Sequence, residues 1–299
     1  MTKKMVSIIV PAYNEPFLQK TIDSLLENAQ GEIEIIPVLD GYVPEIPIKS
    51  DPRVKVINLK KNLGMRGAIN TGIAAARGKF IMKCDAHCLF GPGFDKIMAE
   101  NCAENWLMIP RRYSLDEEKW QRDERRPIRD YHYLTIPMWV KGYGICLINQ
   151  DWLRRGFERR DPQYDIDDTM TFQGSCWLAN KKFFSKRVGF LDDRRVAYGP
   201  FGGEQVEIGL KYWLGGGKNK VIKKTWYAHL SKQPRHYHAG LFTREYKSNH
   251  DTARNRTWAA KHWIEGEEPD MIHQLSWLVE KFWPVPTWPE DRKLWVFPK

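Results

Sequence analysis

No stretch of this sequence reaches the roughly eighteen uncharged apolar residues that a membrane-spanning helix needs. The start, MTKKMVSIIVPAYNE, has the basic-then-apolar look of a secretory leader. Its apolar run spans only Val6–Val10 and stops at Pro11, so it reads as a first core strand. Cysteine is scarce. There are five, an odd number, with no CxxC pair, which disfavours a disulfide framework. Cys84, His87 and Cys88 are too closely spaced for a structural zinc module. Thiols kept reduced and a missing leader lead to the expectation of a cytoplasmic protein. Two glycine-rich signatures are also missing: no dinucleotide fingerprint follows the first strand, and no phosphate loop ends in Gly-Lys-Ser/Thr. Dehydrogenase and P-loop chemistry are thereby disfavoured. Internal repeats and low-complexity runs are absent as well.

What is present is a chain of 299 residues with 42% hydrophobic and 28% charged residues, enough for one large α/β domain with additions. Val6–Val10, Ile33–Leu39, Val54–Leu59, Lys79–Lys83 and Trp106–Ile109 read as buried strands. Between them lie helical patterns: one opened by Pro16 with Leu18, Ile22, Leu25 and Leu26 on one face, one over Gly64–Arg77, and one over Phe94–Asn105. Alternating strands and helices predict a mostly parallel central sheet with helices on both sides. Pro110–Asp168 is Arg-rich and less periodic, like an insert. Regularity returns with a strand at Cys176–Ala179, helices near Lys181–Lys186 and across Glu204–Leu214, a strand at Val221–Trp226 and a helix over Thr252–Trp263. The divisions expected are 1–109 for a first half, 110–170 for the insert, 171–265 for a second half, and 266–299 for a Trp/Pro-rich tail wrapped back over the domain.

The formal net charge is +10. Gly217–His262 supplies nearly all of it, with eleven Lys/Arg against Glu245 and Asp251. Such a field favours a polyanion, either a diphosphate or a nucleic acid; the alternative is a solvated surface.

Ligands of parallel sheets bind beyond the carboxyl ends of the strands, where Asp40 and Asp85 fall. In Asp85-Ala86-His87 two side chains flank one small residue and can reach a single ion. A carboxylate with imidazole suits Mn²⁺ better than Mg²⁺.

Several ordered motifs carry a family resemblance. Ser7–Glu15 (SIIVPAYNE) and Asn62–Cys88 resemble family 2 glycosyltransferases, and the segment CDAHC is similar to the Asp-x-His region of the polypeptide N-acetylgalactosaminyltransferases. Gly202-Gly203-Glu204 with Glu207, followed by KYWLGGG, resembles their Trp-Gly-Gly-Glu-Asn motif, and His229–Tyr237 (HLSKQPRHY) resembles their metal-binding histidine and its loop. The resemblance implies the GT-A fold and a UDP-sugar donor. It implies Asp85, His87 and His229 as ligands of Mn²⁺ or Mg²⁺, and Asp85 and Glu204 at the reacting centre. Around the nucleotide sugar it implies Pro11, Tyr13, Asn14, Glu15, Asp40, Gly64, Arg66, Ala86, Trp213, Arg235 and Tyr237. Lys232–Lys247 is expected to close over the diphosphate, hinged at Gly240.

The chain also departs from that family. Leu39 stands where a first acidic residue is usual, Phe201 where the motif has Trp, and Arg235 where it has His. Simpler roles exist too: a turn cap for Asp40, a helix-dipole partner for Glu204, a core position for Trp213. An inverting enzyme would need a base, for which Glu204 or Asp168 could serve; the motifs favour retention. For the acceptor, the charge and the Arg/aromatic mixture of Arg111–Tyr133 place a hydroxymethylated DNA base slightly ahead of a protein Ser/Thr hydroxyl, with a cell-surface polysaccharide third. The contrasting reading is a non-catalytic nucleic-acid-binding module on a transferase fold.

Overall fold

The computed structural model describes residues 4–231 and 249–298. In chain order the strands and helices are β1 (Val6–Ala12), α1 (Leu18–Asn28), β2 (Ile33–Leu39), β3 (Ile57–Asn58), α2 (Gly64–Ala75), β4 (Phe80–Cys84), β5 (Cys88–Phe90), α3 (Phe94–Asn101), β6 (Trp106–Asp116) and β7 (Gln121–Asp123). There follow β8 (His132–Leu134), β9 (Met138–Val140), β10 (Gly144–Cys146), β11 (Asn149–Asp151), α4 (Leu153–Glu158), β12 (Ile166–Asp168), β13 (Cys176–Asn180), α5 (Lys181–Arg187), α6 (Glu204–Leu214), β14 (Lys218–His229), α7 (Asn249–Ile264) and α8 (Leu275–Lys281).

The central sheet runs β12-β14-β6-β13-β4-β1-β2-β3. The parallel order expected of the first half is present: β1 pairs in parallel with β2 and β4, and β2 with β3. The whole sheet is mixed, because β13 enters antiparallel between β4 and β6. The expected third strand, Val54–Leu59, is reduced to β3 plus one bridge at Val54, since much of that segment is open to solvent. β6 and β14 run well past their expected ends, because they pair in parallel from Trp106–Lys218 to Ser114–His229.

The two-residue period of a strand separates the two faces. Ile8 and Val10 join Leu18, Ile22 and Leu25 of α1 in one core layer. Ile9 faces the other way, into a layer with Ala68, Ile69 and Ile73 of α2 and Tyr212 of α6. Gly72 permits this contact: a Cβ there would lie 2.4 Å from Ile9 Cγ2. A third apolar cluster joins the insert (Tyr131, Leu134, Trp152), α6 and the C-terminal tail. Trp288 donates its indole N–H to Leu134 O at 2.7 Å, which fastens the tail to the insert. No helix among the described residues is long and apolar enough to cross a membrane.

The insert is more regular than expected, being built from short paired strands. His132 on β8 is 4% exposed, and burial depresses its pKa to about 4. The folded value is below the ordinary 6.5, so between those values the unfolded chain holds more protons. Stability is therefore fully present above pH 6.5 and is lost as pH falls towards 4, by up to about 3 kcal/mol from this group. Urea midpoints measured across that range should fall, and more gently in His132→Asn. A slope unchanged by that substitution would remove His132 as a cause.

Candidate active site

Four strand ends converge on one cleft of about 250 Å³. Pro11 and Ala12 of β1, Tyr13 and Glu15 just beyond it, Asp40 after β2, and Asp85, Ala86 and His87 after β4 all line it, with His229 at the end of β14. Met65, Ala68, Phe201 and Leu230 complete the wall, without having been expected there. Asp85 and His229 lie 144 positions apart in the chain. They meet because β5, one residue after His87, pairs antiparallel with β14 and sets Cys88 opposite His229.

The His229 Nε2 lies 3.1 Å from Asp85 Oδ2, and His87 Nε2 lies 3.8 Å from the same oxygen. Among the described residues, Asp85, His87 and His229 form a group that could hold an ion, their ligand atoms all lying within 4.8 Å of one another. The donor set fits a borderline divalent cation such as Mn²⁺: one carboxylate oxygen and two ring nitrogens. Burial pulls the His229 pKa down to about 4, so its ring is neutral at pH 7, the form that ligates a metal.

Supporting groups hold these side chains in place. His87 Nδ1 lies 3.0 Å from Glu15 Oε2, which keeps the proton on Nδ1 and frees Nε2 to face the cleft. Carboxylate-oriented imidazoles of this kind typically contribute ten- to hundred-fold to metal affinity. Glu15→Gln should weaken Mn²⁺ binding by about that ratio, read by manganese electron paramagnetic resonance; unchanged affinity would show that Glu15 has no such role.

Lys83 was not anticipated. It is 1% exposed, and its ammonium donates to Asp85 Oδ1 at 2.6 Å, Glu204 Oε1 at 2.9 Å and Gly174 O at 2.7 Å. Burial would lower its pKa, but the Asp85 and Glu204 carboxylates outweigh this and raise it. Burial acts the other way on Asp85, yet the Lys83 ammonium and the His229 hydrogen bond hold that carboxyl well below the usual range. The Asp85 carboxylate is thus split between Lys83 on Oδ1 and the imidazoles on Oδ2. Glu204 is pushed up by burial against the pull of Lys83, and its Oε2 has no partner among the described residues. The available signal for Lys83 was a lone cation in the apolar strand FIMKC, two residues before Asp85 and so on the same face.

Not every expected residue reaches the cleft. Asp40 lines it and also accepts from Leu63 N, just ahead of α2, at 2.6 Å. Asn14, at φ 45°, lines a separate hollow with Tyr42 and Ile46. Gly64 serves a close approach: its φ is +81°, and a Cβ would lie 2.5 Å from Pro200. Arg66 is fully buried. Its guanidinium pairs with Glu207, donates to Gly202 O at 2.9 Å and covers the Tyr198 ring at 4.4 Å. Trp213 occupies the core, edge-on to Phe282 at 5.5 Å, with its indole N–H bound to Thr169 O at 3.1 Å. Neither Arg66 nor Trp213 lines the cleft. Glu204 is buried, pairs with Lys83 at 2.9 Å and is not among the residues lining the cleft. Asp168 pairs with Lys220 and Lys281 on the sheet edge. Arg235, Tyr237 and the expected closing loop Lys232–Lys247 lie outside the described residues.

The fold is that of the GT-A glycosyltransferases. A crystal structure of GalNAc-T7 with UDP, GalNAc and Mn²⁺ superposes with a TM-score of 0.66 at 16% identity, covering 93% of this chain and 54% of that one. The family follows from the sequence: residues 7–188 match glycosyl transferase family 2, and the chain belongs to that family. Mouse polypeptide N-acetylgalactosaminyltransferase 3 is 26% identical over 274 residues, which cover 87% of this chain and 41% of the mouse protein. The uncharacterized glycosyltransferase EpsJ of Bacillus subtilis (strain 168) is 41% identical over 112 residues, covering 35% of this chain and 32% of EpsJ. The chain thus spans less than half the length of either relative.

Proposed function

We propose that the protein is a metal-dependent glycosyltransferase that moves a sugar from a UDP-sugar to a hydroxyl acceptor. The observation that carries this reading is the Asp85–His87–His229 group in a strand-end cleft that Pro11, Tyr13 and Asp40 also line. A divalent ion, when bound there, supplies charge compensation for the diphosphate leaving group. The chain's own residues do the rest. Tyr13, Asp40, Met65 and Ala68 form the wall that takes the nucleoside. Lys83 fixes Asp85 as a carboxylate with one oxygen directed at the imidazoles. Glu15 holds His87 in one tautomer.

Retention of configuration is supported by where the carboxylates sit. The two candidate bases, Glu204 and Asp168, are both held by lysines and neither lines the cleft. A mechanism that relies on leaving-group stabilisation needs neither of them.

For the acceptor, a hydroxymethylated DNA base is supported by the net charge of +10. Against it stands the pairing of the insert's arginines: Arg111 with Asp130, Arg125 with Asp123, Arg122 with Glu124 and Arg129 with Asp151. Paired arginines offer less to phosphates than their number implies.

Calorimetry of UDP binding tests the donor reading. Binding should require Mn²⁺ and vanish with a chelator. Tight UDP binding that ignores the chelator would refute it.

A further inference from the structure

Lys83 is the only charged side chain of β4 and lies inside the sheet, with Ile9 of β1 and Trp177 of β13 as its register partners. It is 1% exposed, and an ammonium has three protons to donate. Asp85 Oδ1, Gly174 O and Glu204 Oε1 accept them. None is left over for a ligand, so Lys83 acts through these partners and is a positioning residue. We infer that Lys83 sets how tightly the Asp85–His87–His229 group holds a divalent ion. It offsets the one carboxylate of the group, so the protein alone holds the ion weakly and holds it firmly only together with the donor's diphosphate. The inference rests on the metal-dependent reading above and names how that site is regulated.

Among the described residues, Asp85 is the one carboxylate of the group. Its Oδ1 is given to Lys83 at 2.6 Å, while its Oδ2 lies 3.1 Å from His229 Nε2 and 3.8 Å from His87 Nε2. Imidazoles that ligate a metal are neutral and add no negative charge. The carboxylate is thus met by an ammonium before any ion arrives. An arriving cation also feels the ammonium's repulsion, in an interior where water screens little. A diphosphate brings several negative charges to the same ion and restores the attraction. Ion and diphosphate then favour each other's binding. Read from the other side, the same coupling is the need for Mn²⁺ in UDP binding.

Glu204 works in the opposite sense. It is 3% exposed and shares the same ammonium at 2.9 Å, so it takes up part of the positive field that would otherwise fall on Asp85 and the ion. Stability alone does not account for the lysine, since a buried ion pair is often no better than apolar packing of similar volume. The two accounts differ in sign. If the pair of Lys83 and Glu204 only holds the fold, losing either partner loosens the ligand group and weakens ion binding. If it sets the charge, losing Lys83 strengthens ion binding and losing Glu204 weakens it.

Manganese electron paramagnetic resonance on the full chain measures this, with the Mn²⁺ held by UDP alone subtracted and thermal unfolding as the control for folding. The wild type should bind Mn²⁺ at least about tenfold more weakly without UDP than with it. Lys83→Gln removes the charge and keeps amide protons to donate. Without UDP it should tighten Mn²⁺ binding about tenfold, and Glu204→Gln should weaken it about tenfold. Equal wild-type affinity with and without UDP, a folded Lys83→Gln protein that binds no more tightly, or Glu204→Gln that binds no more weakly would each overturn the inference. If Lys83→Gln does not fold, the wild-type comparison and Glu204→Gln decide it. A wild type that takes up no Mn²⁺ even with UDP would instead overturn the metal-dependent reading.

Discussion

Asp85→Ala is expected to lower the rate of sugar transfer on the order of a thousandfold, because it removes the one carboxylate of the group proposed to hold the metal. Two imidazoles alone hold a divalent cation weakly in competition with water, and charge compensation of the leaving group is worth several kcal/mol. The fold should survive the change: Lys83 retains Glu204 at 2.9 Å and the Gly174 carbonyl at 2.7 Å. Single-turnover rates across a Mn²⁺ titration, with thermal unfolding as the control for folding, measure this. Activity within tenfold of wild type in a folded Asp85→Ala protein would sink the metal assignment. His229→Ala should follow the same pattern, with partial recovery by added imidazole, because its Nε2 faces the same Asp85 oxygen.

Arg66→Met is expected to destabilise the protein by about 3–5 kcal/mol while the folded fraction keeps its UDP affinity. Glu207 is fully buried beneath Arg66, and its other oxygen is held by Lys211 at 2.9 Å. Removing the guanidinium leaves that carboxylate short of a partner and strips Gly202 O and Asp192 O of their donor. Urea denaturation gives the stability, and calorimetry on the folded protein gives the affinity. The opposite pattern, intact stability with lost UDP binding, would return Arg66 to the role in sugar-nucleotide binding that its motif implied.

These two residues show how unevenly a site is legible. Asp85 was legible because it follows an apolar strand and stands two positions before a histidine, so local pattern alone marked two side chains that could share one ion. His229 was legible only through a motif. Arg66 belongs to an equally well-marked segment, yet the structure turns it inward onto Glu207. Helix α2 lays its small residues against Ile9, and Gly64 approaches Pro200 too closely for any side chain, so the helix is pressed inward and carries Arg66 with it. Trp213 went the same way for a simpler reason. The C-terminal tail covers α6, and an aromatic facing Phe282 there is core whatever its motif.

The sequence by itself determined most of the elements outside the insert and their order, because hydrophobic period and turn chemistry act over a few residues. It thereby placed Asp40 and Asp85 at strand ends and marked the first half as a parallel sheet. Tertiary structure alone decided what depends on register between distant strands. The pairing of β5 with β14 brings His229 to Asp85. The antiparallel entry of β13 between β4 and β6 makes the sheet mixed, and its preceding turn puts Gly174 O against the buried Lys83. Burial decided the rest. The same lysine would be a solvated surface charge at an exposed strand end, and within the sheet it becomes the counter-charge that sets both Asp85 and Glu204.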